Sequence, residues 1–214
     1  MSDSTLSTAR RLRAERRQDG RTQEQRSEAT IVQLIAAART LFASKGFAET
    51  TTEDIIRAAG VSRGALYHHF PSKTDVFRAV FEEQQQQLSS HLGRVAAAKR
   101  GDAWTRLEAG SLAFLDACLD PAVAQIFLID GFAALGWDEM RAIEHRYTLA
   151  GITMGIELAM REGVIERRPV EPLAQVLFGA LCELAMTIAR ADDPARMTRE
   201  VRREVHRIFT ALRG

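Results

Sequence analysis

The chain has 214 residues, of which 46% are hydrophobic, 7% aromatic and only five proline. That is enough for one sizeable core or for a small domain beside a larger one, and the scarcity of β-branched runs favours helix over sheet. A net charge of +1 excludes a polycation, but residues 1–80 carry +4 and residues 81–214 carry −3, so the N-terminal part is suited to meet a polyanion.

The two cysteines, Cys118 and Cys182, lie in apolar helical stretches. They read as buried free thiols, with no zinc spacing and no disulfide framework. No nucleophile elbow, phosphate-binding glycine loop or metalloprotease motif is present. The sequence therefore reads as no enzyme, with no metal and no cofactor. The longest apolar run, 176–189, is interrupted by Glu183 and falls short of the ~20 residues of a membrane span. The expectation is a cytoplasmic protein without a membrane segment.

Residues 1–26 hold seven arginines, four acids and almost no large apolar side chain. Residues 1–27 are read as a flexible basic arm, too polar to hold a fold. Ile31, Leu34, Ile35, Ala38, Leu41 and Phe42 then recur at helical spacing, predicting a helix over 28–45 that stops at Gly46. Thr51 and Asp54 form a capping box before a two-turn helix ending at Gly60. Ser62 caps a second short helix, which runs to about His68 and breaks at Phe70-Pro71. Ser72 and Asp75 read as another capping box, opening a helix with Val76, Phe77, Val80 and Phe81 on its apolar face. The four-glutamine run after Glu83 reads as a solvated face.

Further helices are expected at 104–119, 122–129 and 137–161, the last as one long helix. The stretch 171–191 is apolar on nearly every side except at Glu183, which calls for cover by a second chain. The helix at 195–212 is amphipathic. The fold class is all-α: an N-terminal three-helix helix-turn-helix domain (28–80, motif about 51–70) and a larger helical ligand-binding and dimerisation domain (81–214).

Two short helices joined by a tight glycine turn are the plan of a helix-turn-helix. Arg63 stands in the first turn of the second helix, where the helix dipole disfavours a cation unless an anion neutralises it. Gly64 keeps that surface low. Leu66 and Phe70 anchor the helix from behind, which turns Tyr67 and His68 outward. His69 is expected to pack or hydrogen-bond inside. Ser62 and Lys73 bracket the helix with phosphate-binding groups.

The segment TTEDIIRAAGVSRGALYHHFPSKTDVF at 51–77, preceded by LFASKGF at 41–47, resembles the TetR family of bacterial regulators. Residues 81–214 share only its layout. The resemblance implies phosphate contact by Thr52, a major-groove face of Arg63, Ala65, Tyr67 and His68, close approach of Gly64 to DNA, and a phosphate clamp by Lys73. It also implies double-stranded operator DNA as partner, with a homodimer formed through helices 171–191 and 195–212. The function implied is a repressor released from a palindromic operator by a small apolar or amphipathic effector. The alternative is a similar regulator without a small ligand, working through a protein partner or as an activator. Candidate pocket residues are Phe114, Cys118, Phe127, Trp137, Met140, Tyr147, Met154 and Met186, all large or soft apolar groups. Glu183 joins them, because a carboxylate in an apolar helix calls for a partner.

Overall fold

In the computed structural model, the backbone is described from Asp3 to Arg213 and side chains from Gln25 to Arg213. The expected arm at 1–27 lies, up to residue 24, outside the residues whose side chains are described. Helices are the only regular elements among the described residues. They are α1 (Asp3–Glu49), α2 (Thr52–Ala59), α3 (Arg63–His69), α4 (Lys73–Ala98), α5 (Ala103–Ala117), α6 (Pro121–Ala124), α7 (Gly131–Leu135), α8 (Trp137–Arg146), α9 (Thr148–Arg161), α10 (Val170–Ala189) and α11 (Pro194–Ala211). A turn of π-helix, Gln125–Asp130, joins α6 to α7.

The head follows the local signals. α1 breaks at Gly46, with one further turn beyond it. The Thr51 hydroxyl accepts from the Asp54 amide at 3.1 Å, and the Asp54 carboxylate accepts from the Thr51 amide at 3.3 Å, closing both halves of the capping box. Gly60 ends α2 in the left-handed region (φ 67°), where a Cβ would be strained. Leu34, Phe42, Ile55, Leu66 and Phe77 are fully buried and join α1, α2, α3 and α4. The Ser72 cap differs from the expected box. Its hydroxyl accepts from the Asp75 amide, but the Asp75 carboxylate takes the Ser72 hydroxyl rather than its backbone N–H.

α4 is the shared beam. It begins in the head and continues into the body, where α5 and α9 pack on it and on each other, and α10 packs on α5 and α9. Three expectations fail in the body. The glutamine run is not a uniform solvated face. Gln86 and Gln87 are exposed, but Gln84 and Gln85 are buried. Gln84 Nε2 donates to the Val123 carbonyl at 3.2 Å, and the Gln85 amide oxygen accepts from the Thr148 hydroxyl. The helix expected at 122–129 does not stop there, because the chain carries helical turns from Pro121 to Leu135 through the π-turn. Gly131 lies under Phe81, whose ring edge would stand 2.9 Å from an added Cβ. The long helix at 137–161 is broken at Tyr147 (φ −119°, ψ −85°). α4 holds the break: Ser89 donates to the Tyr147 carbonyl, Tyr147 donates its hydroxyl to Glu82, and Gln85 takes Thr148.

By length and composition, two helices, Gln25–Glu49 and Val170–Ala189, could cross a membrane. The first carries the head core, and the second packs on α9, α11 and α5. α10 leaves Val176 66% exposed, and α11 leaves Ile208 42% exposed.

Candidate functional site

The head offers one outward face built from the start of α2 and the length of α3. Ser62 accepts from the Ala65 amide at 3.1 Å, satisfying an open N–H of the first turn. Leu66 turns inward and is fully buried, while Phe70 is half-buried behind it. The opposite side of α3 is therefore fixed by the helical period. Ser62, Arg63, Gly64, Tyr67 and His68 are exposed there, and Thr52 and Ala65 are half-buried beside them. The Tyr67 hydroxyl stands 3.3 Å from the Thr52 hydroxyl, tying α3 to α2. His69 is half-buried and meets His68 edge-on, with ring centroids 4.9 Å apart.

The anion that Arg63 requires is Glu53 of α2, with which it forms an ion pair. Hydrogen bonds from its own backbone amide and from Thr52, with Arg63 close by, hold the Glu53 carboxyl below the usual carboxylate range. The pair is exposed and its partners are long side chains, so it costs little to exchange Glu53 for a phosphate.

Lys73, at the start of α4, is engaged at the end of α1. Its ammonium donates to the Phe47 carbonyl at 2.7 Å and to the Ala48 carbonyl at 3.4 Å, and it lies 4.2 Å from the Phe47 ring centroid. The carbonyls at the end of a helix attract a cation. Phe47 is also held from the body, because its amide donates to the Asp130 carboxylate at 2.8 Å. The end of α1 is thus gripped from both sides. Arg78 of α4 pairs with Asp75 within its own helix and with Glu139 of α8. The Ser72 hydroxyl and then Arg78 hold the Asp75 carboxyl below its usual range, and Arg78 does the same for Glu139.

The body holds a partly open cavity of about 440 Å³. Its walls come from α4 (Ser89, Leu92, Gly93, Ala96), α5 (Arg106, Leu107, Gly110, Ser111, Phe114), α9 (Thr148, Ile152, Met154, Gly155, Leu158) and α10 (Phe178, Leu181). Size and apolar lining are those of a small-molecule site. Of the pocket residues expected from sequence, Phe114 and Met154 line it. Cys118 and Phe127 are buried in the surrounding core, and burial pushes the Cys118 thiol up to about 12. Met140 is half-buried against Gly131, Met186 is half-buried on α10, and Tyr147 is tied to Glu82. Trp137 is exposed and stacks edge-on with Phe132. Glu183 is exposed on the outer side of α10, so its carboxylate is solvated within one chain. Among the described residues the carboxylates that are buried are instead Asp130 and Glu144, and burial raises the Glu144 pKa against the pull of Arg141, 2.8 Å away.

Sequence reasoning missed Gln85, Ser89, Ser111, Thr148 and Asp130. For the glutamines a signal existed, since Val76, Phe77, Val80, Phe81, Gln84, Gln85 and Leu88 continue one helical stripe. Among the described residues, no group of three metal-ligating side chains occurs.

Residues 34–80 match the model of bacterial regulatory proteins of the tetR family, and residues 104–212 match a tetracyclin repressor-like C-terminal domain. The chain belongs to the TetR family. It is 30% identical over 183 residues to the HTH-type transcriptional regulator CymR of Pseudomonas putida, covering 84% of this chain and 89% of CymR. It is 24% identical over 164 residues to the Tn10 TetC protein of Escherichia coli, covering 77% and 82%. A crystal structure of a TetR-family transcriptional regulator from Pectobacterium atrosepticum superimposes with a TM-score of 0.75 at 27% identity, covering 88% of this chain and 96% of that one. This TetR-family chain is a transcriptional regulator with an N-terminal DNA-binding domain and a helical C-terminal domain, and not an enzyme. Regulators of the family bind operator DNA and usually dimerise.

Proposed function

We propose that the protein is a cytoplasmic repressor that a small molecule releases from a palindromic operator. The observation that carries this reading is the path of α4. Its first turn, at Lys73, packs on the head, and its later turns, from Ser89 to Ala97, wall the cavity. A ligand that fills the cavity bears directly on the element that sets the head. If the filled state favours a wider separation of two heads, operator affinity falls by the difference in ligand affinity between the two states.

Two copies pair through α10 and α11, whose exposed Val176 and Ile208 supply apolar surface for the contact. Their recognition helices then lie one DNA turn apart, roughly 34 Å, or somewhat more. At each head, Thr52, Ser62 and the Gly64 backbone approach phosphate, and Arg63, Ala65, Tyr67 and His68 face base edges. Lys73 adds a phosphate contact only if it leaves the Phe47 carbonyl.

The test is to select bound duplexes from a random pool with the full-length protein. A palindrome is expected. Arg63→Ala should lower affinity for it by about tenfold or more, as removal of a base-reading arginine costs roughly 1–3 kcal/mol. Gly155→Trp, which fills the cavity beside Leu107, should lower operator affinity without any ligand, as the filled state does, and leave no further release by any ligand of the wild type. Retained affinity in Arg63→Ala, or release that survives Gly155→Trp, would overturn the reading.

A further inference from the structure

The break in α1 opens a backbone donor, and the body fills it. Gly46 stands at φ 79°, ψ 167°, which turns the next peptide out of the helical ladder and leaves the Phe47 N–H to find another partner. That partner is the Asp130 carboxylate, at 2.8 Å. Among the described residues this is the one hydrogen bond that reaches α1, α2 or α3 from an element after α4. Asp130 is buried, and a buried carboxylate held by a backbone N–H makes one of the stronger bonds available to it. A Cβ at Gly46 would stand 3.2 Å from Gln125 Nε2 and 3.5 Å from Asp130 Oδ2, so both ends of the π-turn close on the break. Phe47 leads directly into α2. Thr50 is fully buried and donates to the Gly46 carbonyl at 2.8 Å, and Thr51 then caps α2. Where Asp130 sets Phe47 therefore decides where α2 begins, and α2 carries Thr52 beside Tyr67.

The same π-turn touches the cavity wall. Phe127, three residues before Asp130, is buried. Its ring meets Phe114 edge-on with centroids 5.6 Å apart and Phe178 at 6.5 Å, and both of these line the cavity. It also stacks on Phe81 of α4 at 6.0 Å. Close-packed rings leave little room to yield, so a push on Phe114 or Phe178 is passed to Phe127. A single π-turn inside a helical stretch is an irregularity that recurs at functional sites.

Resting on the reading of this cavity as the effector site, we propose that Asp130 is a positioning residue for operator binding. Its carboxylate holds the start of α2 in the DNA-binding arrangement, and a ligand that displaces Phe127 draws Asp130 off the Phe47 amide. A second route from cavity to head thus runs beside α4, through the π-turn, and it is closed by one hydrogen bond.

The test uses the full-length protein and the palindrome selected from the random pool. Asp130→Ala should lower operator affinity about tenfold, within the usual range of coupling between linked sites. Asp130→Asn keeps an oxygen for the Phe47 amide and should keep most of the affinity. Without DNA, hydrogen exchange in Asp130→Ala should quicken at Phe47 while the amides of α3 and α5 stay protected, which separates local release from unfolding. Gly155→Trp should quicken exchange at Phe47 in the otherwise wild-type protein, and in Asp130→Ala it should cause no further loss of operator affinity. Full affinity in Asp130→Ala, an equal loss in Asp130→Asn, or loss of protection throughout Asp130→Ala would overturn the proposal. So would a Gly155→Trp that lowers affinity without changing exchange at Phe47, or by the same factor with and without Asp130, and these two outcomes would leave the effector reading standing. A Gly155→Trp that changes neither quantity, beside a loss in Asp130→Ala that Asp130→Asn spares, would reject the effector reading and keep Asp130 as a positioning residue.

Discussion

The head and the body of this regulator are both helical, yet their helices are held by different means. In the head, each short helix carries its own start and stop. Thr51, Ser62 and Ser72 each accept from the amide three residues on, and Gly60 turns the chain in the left-handed region. In the body, the decisive features are long-range. α4 stabilises the Tyr147 break through Glu82, Gln85 and Ser89. Asp130, at the end of the π-turn, accepts from Phe47, 83 positions away. A recognition helix must keep one shape on DNA, and local caps fix it cheaply. In the body, tertiary contacts hold irregular turns that no local cap would stabilise.

The largest effect expected from breaking a body contact is at Arg141. Its guanidinium pairs with Glu144, donates to Gln175 and lies over the Trp137 and Phe178 rings. Arg141→Met should destabilise the protein by about 3 kcal/mol, because it leaves a buried carboxylate unpaired. The pH dependence gives the sign. Burial raises the Glu144 pKa from its ordinary 4.5, and loss of Arg141 raises it further. A raised carboxyl contributes stability that is present below the unfolded value and lost as pH rises through the folded one. Urea unfolding should therefore show a larger deficit at pH 7 than near pH 5. An equal deficit at both would sink the assignment.

Legibility followed the same divide. The capping boxes, the glycine turn and the α3 face of Arg63, Tyr67 and His68 rest on signals within four residues of one another, so the sequence displays them. The cavity does not, because Ser89, Ser111 and Thr148 meet only after α4, α5 and α9 pack. Polar identity also misled. Gln84 and Gln85 sit in register with Phe81 and Leu88, and the helical period should have outweighed the side-chain type. Lys73 illustrates the converse: a motif position marked it for phosphate, while the nearest carbonyls of α1 hold it here.

An intermediate effect belongs to Gly131. An added methyl would stand 2.9 Å from the Phe81 ring edge and 3.4 Å from Met140 Sδ. Phe81 is fully buried and stacked with Phe127, so it has little room to give. Gly131→Ala should cost about 1–2 kcal/mol through overpacking, even though alanine is the better helix former. A stabilised variant in thermal unfolding would show that propensity outweighs packing at this turn.

The smallest effect tests the head. Thr51→Ala removes the side-chain acceptor for the Asp54 amide and should cost about 1 kcal/mol. Thr51→Ser keeps the oxygen and should restore most of it. Asp54 also reports on the cap, since hydrogen bonds from Thr51 are the main reason its carboxyl titrates below the usual range. A depressed carboxyl stabilises the fold above its unfolded pKa and loses that contribution as pH falls through the folded value. The gap between wild type and Thr51→Ala should therefore narrow in acid. If the head were instead held by packing, as the body is, Thr51→Ala and Thr51→Ser would unfold alike at every pH, and the contrast between the two halves would reduce to a difference in helix length.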